Sequence, residues 1–133
     1  MKYLIDTQIL IWILEDNPKL TSKIRKILTE KSNTFWFSQF SLLEISIKLK
    51  LGKLPAFIVN IDEFAEKARQ SGLKMLKIEN SHIIAYQNIP LFEDHRDPFD
   101  RFLLATALSS NLPIISADEK FDYYIPLIDL IKT

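Results

Sequence analysis

Asp6, Glu44, Asp100 and Asp118 are the residues of this sequence best placed to do chemistry. Asp6 closes the apolar run KYLID, and Glu44 lies about a turn into the apolar stretch after TFWFS. Asp100 follows an Asp97-Pro98 pair, and Asp118 stands two residues beyond the end of LPIIS. Two like charges ~4 Å apart repel by about 1 kcal/mol at the dielectric of water and by about 4 kcal/mol at an effective value of 20. Four carboxylates brought together therefore raise their own pKa values or loosen the fold unless a cation neutralises them. Carboxylate oxygens and water select Mg²⁺ or Mn²⁺. The absence of cysteine and the presence of only two histidines remove the usual ligands of zinc and copper. Such an ion, held with open coordination positions, activates water and stabilises a phosphoryl oxyanion, so the reaction class is metal-assisted phosphodiester hydrolysis.

These acids work together only if the chain brings them to one place. Residues 2–6 read as a short buried strand, and 8–15 as a helix apolar nearly all round, broken at Asn17-Pro18. Residues 21–31 form an amphipathic helix and 34–38 an aromatic strand. An S-x-x-E capping box at Ser41–Glu44 is expected to open a helix running to about Leu51, which Gly52 stops. Residues 61–71 read as a helix ending at Gly72, 73–78 as a strand and 81–88 as a short helix. Asp97 as N-cap with Pro98 at the first position starts a helix to Ser110. Residues 112–116 form a strand, 118–121 a turn or short helix, and 126–130 a last edge strand. Alternating strands and helices give an α/β fold: a sandwich whose central, mainly parallel sheet carries helices on both faces. Ligands of such sheets bind beyond the carboxyl ends of the strands. Three of the acids follow strand ends, and the helix carrying Asp100 must start near the same edge, so the four converge on one rim.

Composition sets the outer limits. A chain of 133 residues is expected to form a single domain over 1–133, and 47% hydrophobic residues supply a core that excludes disorder. Two glycines, at 52 and 72, cannot build a phosphate-cradling loop. Seventeen basic against 17 acidic residues leave no global field to draw nucleic acid, so any such contact is local or runs through bound cations. The opening apolar run is interrupted by Asp6-Thr7-Gln8 and lacks a cleavage site, and no stretch approaches ~20 apolar residues. A soluble, cytoplasmic protein without a membrane partner is expected.

Each residue also has a plainer explanation. Asp6 caps the next helix, Glu44 pairs with Lys48 at i+4, Asp97 is an N-cap, Asp100 favours a helix dipole and Asp118 is a turn residue. His82 and His95 read as surface residues, and Phe35, Trp36 and Phe37 as core. Lys48, Lys50, Lys53, Arg96 and Arg101 are solvated surface or local phosphate contacts, and Leu54, Phe57 and Ile58 form an interface or fold inward. The case for a site rests on joint placement.

The segments YLIDTQILIWIL, HRDPFDRFLLATAL and LPIISADEKF, in this order, resemble the PIN-domain nucleases, specifically the VapC-type toxins of toxin–antitoxin pairs. The resemblance spans essentially the whole chain; D-P-F-D-R before an A-T-A helix, then S-A-D, is its most specific part. It implies a PIN-like fold with Asp6, Glu44, Asp100 and Asp118 as catalytic and metal-holding acids, supported by the hydroxyls of Thr7 and Ser116. It also implies an Mg²⁺- or Mn²⁺-dependent endoribonuclease acting on single-stranded or looped RNA. A homodimer and a cognate antitoxin whose tail occupies the acidic groove come with it. Gln8 departs from the His or Asn of many relatives, which bears on substrate contacts rather than on the chemistry. Three alternatives compete: a PIN-fold RNA-processing nuclease outside a toxin pair, a haloacid-dehalogenase-like phosphohydrolase, and a binding module whose acidic rim holds a basic partner. The second needs an acid where Gln8 stands, and metal-dependent turnover separates the third from an enzyme.

Overall fold

The computed structural model describes residues 1–133. In chain order the elements are β1 (Lys2–Ile5), α1 (Thr7–Glu15), α2 (Ser22–Thr29), β2 (Thr34–Ser38), α3 (Gln39–Lys50), α4 (Ile61–Gln70) and β3 (Lys74–Leu76). Then come α5 (Asn80–Tyr86), α6 (Pro98–Ser110), β4 (Ile114–Ser116), a 3₁₀ helix (Glu119–Tyr124) and β5 (Leu130–Lys132). The five strands form one sheet in the order β3-β2-β1-β4-β5, every neighbouring pair parallel. The expected α/β sandwich is therefore present.

Both faces of the sheet are covered, so the central strands are apolar on each side rather than alternating. Tyr3 and Ile5 pack with Ile9, Leu10, Phe35 and Phe37 on one face. Leu4 and Ile114 pack with Leu103, Leu104, Phe121 and Tyr124 on the other. Gly52 and Gly72, with φ of 68° and 86°, take left-handed turns after α3 and α4 that favour glycine. No helix is long and apolar enough to cross a membrane.

Strand order matters for function. From β1 the chain steps outward through β2 to β3, then returns to the other side of β1 with β4 and continues to β5. The reversal falls between β1 and β4, and the carboxyl ends of strands flanking such a reversal open into a crevice. Asp6 directly follows β1 and Asp118 lies two residues past β4.

Several local expectations need correcting. α3 starts at Gln39 and is capped by Ser38, whose hydroxyl accepts from the Phe40 amide at 3.0 Å. Ser41 and Glu44 thus lie inside the helix and form no capping box, because β2 feeds α3 without a loop. The last strand is Leu130–Lys132 rather than 126–130: Ile128 is buried against the second apolar cluster, and pairing with β4 begins at Leu130. Of 73–78 only Lys74–Leu76 pairs with β2. Arg101 is no surface cation. It is 5% exposed and donates to the carbonyls of Pro90 and Ile89 at 2.7 and 3.0 Å, tying the 89–90 turn to α6. Phe35 and Phe37 are core, whereas Trp36 is half-buried with the Lys74 ammonium 5.5 Å from its ring.

Candidate functional site

A cleft of about 430 Å³ opens at the reversal point, and Asp6, Glu44, Asp100 and Asp118 all line it, together with Thr7, Gln8, Trp12, Lys19, Lys48 and Asp97. The four acids expected to converge do so, each delivered by a different element.

Asp6 is both a wall of the cleft and the N-cap of α1, accepting from the Ile9 amide at 2.8 Å. It is 5% exposed, and burial pushes its carboxyl up to about 7, opposed by hydrogen bonds from Ser116 and Ile9 and reinforced by the charges of Asp100 and Asp118. Asp97 caps α6 through the Phe99 and Asp100 amides at 2.8 and 3.2 Å, which sets Asp100 in the first turn. Burial, then the charge of Asp97, raises Asp100 to about 6; a hydrogen bond from His95 lowers it, while Asp118 and Glu44 raise it further. Asp118 is held by its own backbone: its amide donates to Ser116 Oγ at 3.1 Å, and its carboxylate accepts from the Lys120 amide at 2.9 Å.

Glu44 projects from α3. Its Oε2 meets the Lys48 ammonium at 2.8 Å, so the i+4 pair is real, yet Oε1 is buried with no hydrogen-bond partner. An unpartnered buried carboxylate oxygen costs free energy unless something satisfies it. Phe40 fixes α3 against α6, with ring centroids 4.8 Å from Phe99 and 4.5 Å from Phe102, and so sets how Glu44 faces Asp100. Thr7 Oγ1 hydrogen-bonds Ser41 Oγ at 2.9 Å, binding the start of α1 to α3. Thr7 and Ser116 are thus buried hydroxyls, the first bonded to Ser41 and the second to the Asp118 amide.

One residue of the site escapes a reading of the sequence. His95 is 4% exposed, not on the surface. Its Nε2 lies 3.2 Å from Asp100 Oδ2 and its Nδ1 2.6 Å from the Tyr124 hydroxyl, and His95, Asp100 and Asp118 each bring one donor atom within 4.8 Å of the others. His82 is also buried, 3.2 Å from Ser110 Oγ and remote from the acids in its contacts. The hydroxyls that help bury the two rings, Ser110 for His82 and Tyr124 for His95, lie 28 and 29 residues away, so their burial is not announced locally.

The donors fit a hard divalent cation: four carboxylates, one oxygen of which lacks any partner, and two of which hold protons unusually tightly because burial disfavours their charged form. Lys48 is a partial substitute for that missing charge. Replacing it by Ala is expected to leave both Glu44 oxygens unpaired and to lower stability in EDTA by about 2 kcal/mol, with Mn²⁺ closing most of the gap. Urea denaturation with and without the ion measures this, and an unchanged midpoint in EDTA would make the pair a surface contact of no consequence.

The family model described as PIN domain matches residues 3–124. No curated protein matches the chain by sequence. Among solved structures, VapBC2 from Rickettsia felis bound to a DNA fragment from its promoter is similar, with a TM-score of 0.72 at 16% identity over 100% of this chain and 99% of that one. DNA-bound VapBC from Salmonella typhimurium gives 0.68 at 19% identity, over 99% and 98%. VapBC-5 from Mycobacterium tuberculosis gives 0.65 at 14% identity, over 99% and 98%. At these identities the likeness is one of fold.

Proposed function

As this chain belongs to the PIN domain family, we propose that it is a divalent-cation-dependent endoribonuclease and the toxin of a toxin–antitoxin pair. The observation that carries the nuclease reading is the cleft at the strand-order reversal, where four carboxylates meet and one buried oxygen of Glu44 has no partner. The toxin reading draws on the likeness to VapBC structures along the full chain.

In this reading Asp6, Glu44, Asp100 and Asp118 are the catalytic residues and hold Mg²⁺ or Mn²⁺, directly or through water. Once bound, the ion supplies the positive charge that activates water and stabilises the phosphoryl oxyanion. The chain's own residues do the rest. Asp118 orients the attacking water or completes the cation's shell. Thr7 and Ser116 keep α1 and the β4 end in register with the acids. Lys48, paired with Glu44 at the cleft, and Lys19 at the cleft wall would give a phosphate backbone its local positive contacts, which a chain of zero net charge must provide on the spot. The substrate is single-stranded or looped RNA in the cytoplasm, the chain works as a homodimer, and a cognate antitoxin silences it by covering the acidic cleft.

Two measurements on the purified chain test this. Calorimetric titration with Mn²⁺ is expected to show saturable binding, and pooled structured RNAs are expected to be cut with Mn²⁺ and left intact with EDTA. Folded protein that binds no Mn²⁺, either alone or with RNA, overturns the nuclease reading.

A further inference from the structure

We infer that His95 is the positioning residue of the acidic centre: its ring, itself oriented by Tyr124, holds the Asp100 carboxylate in the arrangement that receives the cation. This rests on the cation-binding reading above and adds a residue outside its four acids.

The geometry is a relay of buried groups. Tyr124 is 1% exposed and His95 4%, and the Tyr124 hydroxyl sits 2.6 Å from His95 Nδ1. The His95 amide donates to the Phe92 carbonyl at 3.1 Å, and Phe92 packs edge-to-face on Tyr124 at 5.2 Å, so the loop that carries the imidazole is pinned at both ends. Burial raises the Tyr124 phenol above its ordinary value, which keeps its proton on oxygen. A phenol donating to Nδ1 leaves the ring's own proton on Nε2, the nitrogen 3.2 Å from Asp100 Oδ2.

The direction of these bonds has a consequence. With Nε2–H donating to Oδ2, Asp100 loses its free rotation before any ion arrives, and its remaining lone pairs stay available to the cleft beside Asp118. A ligand ordered in advance does not lose that freedom on binding. Partners that orient ligating carboxylates typically change metal affinity by about 10- to 100-fold when removed. A histidine that only filled the core would need no bond to a cleft carboxylate, and an apolar ring would pack there equally well.

The test is Mn²⁺ titration by calorimetry without RNA, on wild-type protein and on His95→Ala, His95→Gln, Tyr124→Phe and Asp100→Asn, each checked by thermal melting. His95→Ala is expected to bind Mn²⁺ about 10- to 100-fold more weakly. His95→Gln, whose amide N–H can take the place of Nε2–H, is expected to stay within about threefold of wild type, and Tyr124→Phe to fall between the two. Wild-type affinity in His95→Ala overturns the inference, as does a Gln variant as weak as the Ala variant. If His95→Ala does not fold, Tyr124→Phe decides, because it removes one oxygen and leaves the ring packed; unchanged affinity there overturns the inference. Failure of wild type to bind in this titration overturns the inference, and failure with RNA present as well overturns the cation reading with it; binding in Asp100→Asn equal to wild type overturns both. Loss of binding in Asp100→Asn alone overturns only the role of His95.

Discussion

Asp100→Asn and Asp6→Asn are each expected to abolish metal-dependent RNA cleavage, by about 10²- to 10³-fold or more, the scale on which removing one preorganised electrostatic group acts. Neither should disturb the fold. Asn caps a helix as well as Asp does, so the amide of Ile9, now 2.8 Å from the Asp6 carboxylate, keeps its acceptor. Asn at 100 keeps an oxygen for the His95 donor. Each substitution removes a negative charge from a buried, like-charged cluster, so both metal-free variants are expected to melt at or above the wild-type temperature. Gel assays of cleavage beside melting curves separate the two effects. Cleavage at the wild-type rate in Asp100→Asn would take that residue out of the reacting centre, and a melting temperature well below wild type would mean that the carboxylate is held for stability instead.

The same burial makes stability depend on pH in an unusual direction. Most native carboxylates titrate below their unfolded values and favour folding at neutral pH. Asp6 does the opposite, rising from 3.8 to about 7, and Asp100 rises to about 6. A raised carboxyl binds its proton more tightly in the folded state, so its contribution is fully present below about pH 4 and is lost as pH climbs through 6 to 7. For Asp6, the gap between 3.8 and about 7 corresponds to on the order of 4 kcal/mol. In EDTA the protein is therefore expected to be several kcal/mol less stable at pH 8 than at pH 5. Mn²⁺ should remove that deficit at pH 8 and do little at pH 5, where protons already neutralise the site. Asp6→Asn should flatten the dependence. Urea denaturation at both pH values checks all three statements, and stability that rises steadily from pH 5 to pH 8 in EDTA would contradict the buried, uncompensated state of the acids.

Three of the four acids are legible in the sequence because each sits beside a local signal, whereas Glu44 is placed only by the helix that follows β2. Asp6 ends an apolar run, Asp100 follows an Asp-Pro start, and Asp118 trails a strand. The rule that α/β sheets bind at their carboxyl edge then joins them without any contact being known. What stays hidden depends on tertiary contacts that no local pattern announces. Arg101 looks like any surface cation until the carbonyls at 89 and 90 are seen to surround its guanidinium. His95 looks solvated until Tyr124 and Asp100 close on its two nitrogens. Three-residue strands such as β3 and β5 give too short an alternation to fix their ends, which is why the last strand starts about four residues beyond its expected start. S-x-x-E at Ser41 matches a capping box by chance inside a helix that already runs; only the direct junction of β2 and α3 shows that Ser38 holds the capping position.

β1 is made first, yet it lies between β2 and β4, and its partner β4 is made more than a hundred residues later. The crevice between β1 and β4 thus depends on the closure of a long loop, which costs more chain entropy than the nearer pairing of β1 with β2. During synthesis Asp6 and Glu44 emerge early, while Asp100 and Asp118 are still unmade or unfolded. A chain made only as far as α3 holds two of the four acids, and the cleft is complete only once β4 and the residues just past it have been made. The order of strands acts as a clock: it postpones the meeting of the four acids until residues 100–118 have been made.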